Sequence, residues 1–276
     1  MVQGQRGQHP VRCNHGLSGP SDGRSHRSPG NDACGAGGRR DPRPDVRERA
    51  ARGHVPDGIR VVARSIDLES LSRRDQFELY RDGHLPLVGV CTEVDVTETR
   101  RAATARGIAI TAAITYLVAR TANHIPEFRY RIRDDVVAEY DIVHPASTVM
   151  AAGDSFTFAY YEYHEEFPVF VDGFEKATAL AVDAPTFEEP DGEDDLPFLT
   201  AIPWVAFTSV THPIPSIPID SIPRFASGKF IERGSSIAMP LSVQGHHALI
   251  DGIHVGRYFE HIQELLSDPA GYMGTT

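Results

Sequence analysis

The chain has 276 residues, enough for one large domain or two small ones, and 41% of them are hydrophobic, enough for a sizeable core. Its formal charge of −11 understates the acidity of the folded part, because the first 56 residues hold ten arginines against five acidic residues and leave 17 basic and 33 acidic residues from 57 onward. An acidic domain argues against non-specific binding to a nucleic-acid backbone, which needs a basic face. No run has the length of a membrane span or the layout of a secretory leader, and only Cys91 of three cysteines lies beyond residue 56. The expectation is a cytoplasmic protein with no nucleic acid or membrane as partner and no disulfide framework.

Residues 1 to 56 are rich in Gly, Pro, Ser and Arg and carry no periodic apolar pattern, so burial cannot offset their ordering entropy. They are expected to be a disordered or mis-annotated N-terminal extension, with the fold starting near Val55. Ser70 to Tyr80 has apolar residues at helical spacing and ends at Asp82-Gly83, a short helix. The alternation Val88, Val90, Thr92, Val94, Val96 predicts a strand with one face buried. Residues 108 to 124, rich in Ala, Ile, Leu and Val, suit a buried helix. Val136 to Asp141, Ser147 to Met150 and Ser155 to Tyr161 are short β-prone segments between turn signals, as in antiparallel hairpins.

Residues 165 to 182 read as helix again, and Asp183 to Pro197, dense in acidic residues and proline, as an exposed connection. Leu199 to Ser209 and Ser236 to Gln244 are predicted strands. After a turn through His246 to Gly252, the residues Val255, Tyr258, Phe259, Ile262, Leu265 and Leu266 form an amphipathic helix. Strands and helices without strict βαβ alternation predict an α+β fold, a two-layer sandwich in which a mixed β-sheet is covered by helices, largely on one face.

The string Gln244-Gly245-His246-His247-Ala248-Leu249-Ile250-Asp251-Gly252-Ile253-His254-Val255-Gly256-Arg257 lies at that strand-to-helix junction. His246, His247, Asp251 and His254 are of metal-ligand type, but their spacing is not that of the usual structural zinc sites, and no metal is expected. The string resembles the chloramphenicol acetyltransferase family. Its His-His-x-x-x-Asp-Gly core also occurs in dihydrolipoyl acyltransferases and peptide-synthetase condensation domains, and the added His254-Val255-Gly256-Arg257 narrows the choice. Five more segments follow the family's order: Arg73 to Tyr80, Pro126 to Arg129, Tyr140 to Pro145, Tyr163 to Phe167, and Ile202 to Ser209. They extend the resemblance over residues 65 to 268 and make 57–276 one domain of that kind.

Moving an acyl group from a thioester to an alcohol needs a base for the hydroxyl and a donor for the oxyanion. Imidazole, with an ordinary pKa of about 6.5, suits the first task near neutral pH, and the resemblance assigns it to His247. It assigns the oxyanion donor to Thr200, where the family has serine; from the residues alone Thr200 is an ordinary strand residue. It pairs Asp251 with Arg73, although Asp251 also suits an N-cap of the last helix, and the two roles are compatible. Tyr80 falls at an acceptor-pocket position, or is core packing on the first helix. Lys229-Phe230 falls near the CoA entrance, or is a surface pair without a role.

The resemblance further implies acetyl-CoA as co-substrate, no tightly bound cofactor, a primary hydroxyl of a small molecule as acceptor with chloramphenicol the named candidate, and a homotrimer with sites between subunits. The alternatives are a different alcohol or amine acceptor, or a degenerate binding protein of the same fold. Several positions depart from the family pattern. Gly245 replaces a branched aliphatic residue, Ile253 an aromatic one and Ala226 a threonine, while Ala109-Ile110-Thr111-Ala112 stands in place of a Lys-Phe-Tyr-Pro run. These changes leave the base intact and bear on the acceptor pocket and on CoA.

Overall fold

The structure is a computed structural model that describes residues 63–133, 136–187, 194–214 and 219–274. The expected N-terminal extension, residues 1–56, lies outside the described residues. In chain order the elements are β1 (Ala63–Ile66), a 3-10 turn (Leu68–Ser70), α1 (Arg74–Tyr80), β2 (Leu87–Asp95), α2 (Thr97–Arg106) and α3 (Ile110–His124). A second 3-10 turn (Pro126–Arg129) leads to β3 (Tyr130–Arg133), β4 (Val136–Tyr140), β5 (Ala146–Met150), β6 (Phe156–Tyr160) and α4 (Phe167–Asp183). The chain closes with β7 (Phe198–Ile202), β8 (Arg224–Gly228), β9 (Ile231–Arg233), β10 (Ser236–His246), α5 (Gly252–Ser267) and α6 (Ala270–Met273).

Among the described residues a seven-stranded sheet runs β2-β10-β8-β7-β5-β6, with β9 on β10, and a three-stranded sheet runs β1-β4-β3. The large sheet is mixed: β10 is antiparallel to β2, β8 and β9, whereas β7 is parallel to both β5 and β8. Period-two alternation sorts β10 into two rows. Met239, Leu241 and Val243 belong to the apolar core with Leu117 of α3, Phe170 of α4 and Tyr258 of α5. Ser242, Gln244 and His246 form the other row and are buried as well. The architecture is the expected α+β arrangement. Helix α3, Ala- and Ile-rich on every side, is buried along most of its length.

Three expectations are corrected. β2 is an edge strand on which only Val94 is buried, and Val90 is 38% exposed. The strand expected over Leu199–Ser209 stops at Ile202, because Pro203 has no N–H for a ladder, and the Val205 N–H closes a turn on the Ile202 carbonyl at 3.3 Å. The end of the acidic segment is not solvated. Asp195, Leu196 and Pro197 are buried, and the Asp194 carboxylate pairs with Arg133 and accepts from Tyr140. Beside it, the fully buried Arg131 guanidinium, its pKa lowered to about 10 by burial, donates to the Asp194 carbonyl. Helix α2, whose Thr, Arg and Ala residues give little apolar periodicity, ends at Gly107, whose φ of 67° is left-handed and lets its N–H reach two carbonyls of the last turn.

Candidate active site

Strand β10 ends at His246, which pairs with Leu87, and the chain then folds back so that the Leu249 and Ile250 N–H groups both donate to the His246 carbonyl at 2.9 Å. The next residue, His247, is pinned from outside the turn by its N–H donating to the Pro86 carbonyl at 2.7 Å. Its ring Nδ1 lies 3.0 Å from the Ile250 carbonyl. A carbonyl only accepts, so this contact selects the tautomer with the proton on Nδ1 and leaves the lone pair on Nε2. Nε2 has no hydrogen-bond partner among the described residues, and the side chain is half-buried. The Tyr80 ring packs on the imidazole, centroids 4.1 Å apart at 32°.

Asp251 caps α5: its side chain accepts from the Ile253 N–H at 3.0 Å, and its Oδ2 pairs with Arg73 Nη1 at 2.5 Å. Partial burial works against the carboxylate, but the Ile253 N–H and the Arg73 guanidinium together hold its pKa below the ordinary value. Arg73 Nη2 also donates to the His247 carbonyl at 3.2 Å. The first histidine of the pair, His246, is buried, which lowers its pKa to about 4, and His247 adds to that effect while Asp220 opposes it. Among the described residues no group of three or more His, Cys, Asp or Glu side chains is arranged to hold a metal.

The other sequence-derived residues lie elsewhere. Thr200 pairs with Ala226 of β8, which pairs with Ser242 of β10, so all three share the row facing away from the helices. Two strand spacings and four further residues of β10 separate Thr200 from His246, and by ordinary strand geometry roughly 15 Å lies between the Thr200 hydroxyl and the His247 turn within one chain. Lys229 and Phe230 follow β8 on the Thr200 side. The Lys229 N–H donates to the Val205 carbonyl at 2.9 Å, and Phe230 lies under the Arg100 guanidinium, 5.4 Å from its centroid.

The structure thus brings His247, Tyr80, Arg73 and Asp251 together at one end of the sheet and Thr200, Lys229 and Phe230 at the other. Sequence reasoning missed the Pro86 and Ile250 carbonyls that fix His247, since backbone groups carry no residue signal. It also missed Glu127, whose Oε1 lies 3.3 Å from His254 Nε2, although both residues stood inside quoted segments.

The family model described as chloramphenicol acetyltransferase matches residues 62–263. A chloramphenicol acetyltransferase of Klebsiella sp is 27% identical over 208 residues, 75% of this chain and 95% of that protein. Chloramphenicol acetyltransferase 2 of Escherichia coli is 29% identical over 200 residues, 72% and 94% of the two chains. A solved chloramphenicol acetyltransferase, 29% identical, superposes with a TM-score of 0.67 over 74% of this chain and all of its own. With its mixed sheet, its His-His turn and a family match that runs from β1 into α5, the chain belongs to the chloramphenicol acetyltransferase family.

Proposed function

We propose that the protein transfers the acetyl group of acetyl-CoA to a primary hydroxyl of a small molecule, with chloramphenicol as the candidate acceptor. His247 Nε2 takes the hydroxyl proton, the alkoxide attacks the thioester carbonyl, and the Thr200 hydroxyl donates to the oxyanion before CoA thiolate leaves and recovers the proton. The observation that carries this reading is the His247 ring, held as one tautomer by the Ile250 carbonyl with its basic nitrogen unpartnered among the described residues and its side chain half-exposed. Tyr80 gives the acceptor an aromatic face beside the base, and Lys229 with Phe230 offers CoA a cation and a ring.

A base and an oxyanion donor serving one thioester must lie within a few ångströms of each other. The roughly 15 Å between His247 and Thr200 in one chain therefore supports a site completed between two copies, in a homotrimer. Trp204 and Val205, 65% and 53% exposed in the turn after β7, give the Thr200 side an apolar surface for such a neighbour. A different acceptor is the second reading, favoured by Ile253, an exposed aliphatic where the family has an aromatic residue at the start of α5.

Thiol release from acetyl-CoA, followed with and without chloramphenicol in the parent and in His247→Ala, tests the reading in a cytoplasm-like reducing buffer. Acceptor-dependent release that falls by about 10² to 10⁴ in the variant is expected. Release with other alcohols or amines but not chloramphenicol would move the acceptor, and none with any acceptor would leave a binding protein.

A further inference from the structure

Four groups meet behind the His247 turn. Arg73 pairs with Asp251, donates to the His247 carbonyl, and places Nη1 3.2 Å from His254 Nδ1. The Asp251 N–H donates to that same Nδ1 at 3.1 Å. His254 is 5% exposed, so its ring exchanges little with water. With two donors aimed at Nδ1, that nitrogen must be the acceptor, and the ring proton sits on Nε2. Nε2 faces Glu127 Oε1 at 3.3 Å, its one acceptor among the described residues. The opposite tautomer would turn an N–H toward the Asp251 N–H and the guanidinium and leave Glu127 facing a bare lone pair.

We infer that Glu127 is a positioning residue for the base: through the His254 ring it holds the Arg73 guanidinium on the His247 carbonyl. This rests on His247 acting as proposed above. Glu127 sits in the Pro126–Arg129 turn between α3 and β3, outside the loop it steadies. It fixes the His254 tautomer, the tautomer gives Arg73 Nη1 an acceptor, and the guanidinium so oriented presents Nη2 to His247. The carboxylate is suited to the task. Burial opposes its ionisation, yet the His254 hydrogen bond, a backbone N–H and the nearby Arg257 hold its pKa below the ordinary value. Arg73 and Glu127 also line one small cavity of about 30 Å³, and Arg73 Nε is buried without a partner among the described residues.

The test compares the parent protein with Glu127→Ala, which removes the acceptor, and Glu127→Gln, which keeps an oxygen for the Nε2 proton. In the thiol-release assay Glu127→Ala is expected to lower kcat about 10- to 100-fold, the scale set by sub-ångström misplacement of a catalytic group. Both KM values should stay within about twofold, since neither substrate meets this group, and Glu127→Gln should restore most of kcat. Parent-like kcat in Glu127→Ala, a loss carried by KM alone, or an equal loss in both variants would overturn the inference.

Long-range proton–nitrogen spectra of the histidine rings test it without turnover and without relying on a variant that may not fold. The parent must show His254 as the Nε2–H tautomer, and Nδ1–H there would overturn the proposal. Where Glu127→Ala folds, as its thermal midpoint will tell, the His247 ring should pass from a single tautomer to a mixture. A parent without thiol release but with these spectra would overturn the enzymatic reading and leave the His254 relay intact.

Discussion

At the His247 end of β10 the chain supplies its own contacts: carbonyls from Pro86 and Ile250 fix the ring and backbone, Arg73 holds the carbonyl, and Ala248, Leu249 and Ile250 are all within 2% of full burial. At the end of β7 the opposite holds. The Thr200 hydroxyl has no partner among the described residues, and Trp204 and Val205 next to it are largely exposed. A group that must hold one tautomer through many turnovers benefits from a rigid mount, whereas an oxyanion donor can wait for its ligand. The difference teaches that one chain fully mounts the His247 ring and leaves the Thr200 side open, which under the proposed function a second copy closes.

Mixing experiments break that comparison most sharply. Thr200→Val removes the hydroxyl at constant shape and should lower kcat by about 10² to 10³, the usual loss for one oxyanion donor. Co-expressed with His247→Ala, it should regain activity, because in mixed assemblies about one site in four would pair an intact His247 with an intact Thr200 from the adjacent copy. If mixtures stay as inactive as either parent, both groups serve the same chain and the shared site is wrong.

The next effect is on folding. Asp251→Ala removes a helix cap, ordinarily about 1 kcal/mol, and strands the mostly buried Arg73 guanidinium. Because Asp251 is one-third exposed, the loss should be about 3 kcal/mol, at the low end for a broken buried pair. Urea titration reads this directly. A midpoint unmoved by the substitution would mean that Arg73 finds water instead, and that the His247 mount is looser than its contacts imply.

Acid should loosen the same end. Burial lowers the pKa of His246 and of His212 to about 4 in the fold, against about 6.5 in an unfolded chain. The unfolded state then binds more protons between those values, so these histidines' contribution is complete above pH 6.5 and is lost as pH falls toward 4, by about 1.4 kcal/mol per unit for each ring. Denaturation at pH 7 and pH 5 measures it, and equal midpoints would show that both rings reach water.

Much of this was legible in sequence where residue types repeat with a period. The core row of β10 and the apolar stripe of α5 follow from spacing, and the burial of α3 from its Ala, Ile, Leu and Val content. The Arg73–Asp251 contact and the cap were both anticipated for Asp251. The edge position of β2 was not legible, since alternation of valines reports a pleat and not which neighbour covers it. Nor was the burial of Asp195 beside the half-buried Asp194: their charge reads as solvation until the buried Arg131 is known to need counter-charges. The separation of Thr200 from His247 was hidden for a like reason, because strand order in a sheet is a long-range property.

Gly245 and Ile250 share the space inside the His247 turn. A Cβ on Gly245 would meet Ile250 Cδ1 at 2.6 Å, so the space beside Gly245 is filled by Ile250. Since the obstacle is the tip of a flexible side chain, Gly245→Ala should force an off-rotamer isoleucine at about 1 kcal/mol rather than prevent folding. Ile250→Val deletes the offending methyl and should itself cost about 1 kcal/mol. Together the two changes should cost clearly less than their sum, a coupling of the kind seen between residues in contact. Because the Ile250 carbonyl holds His247 Nδ1, kcat should follow stability through the cycle, lowest in Gly245→Ala and recovering in the double variant. Strict additivity in both quantities would mean that Gly245 and Ile250 do not share this space, and that the His247 mount owes nothing to the exchange.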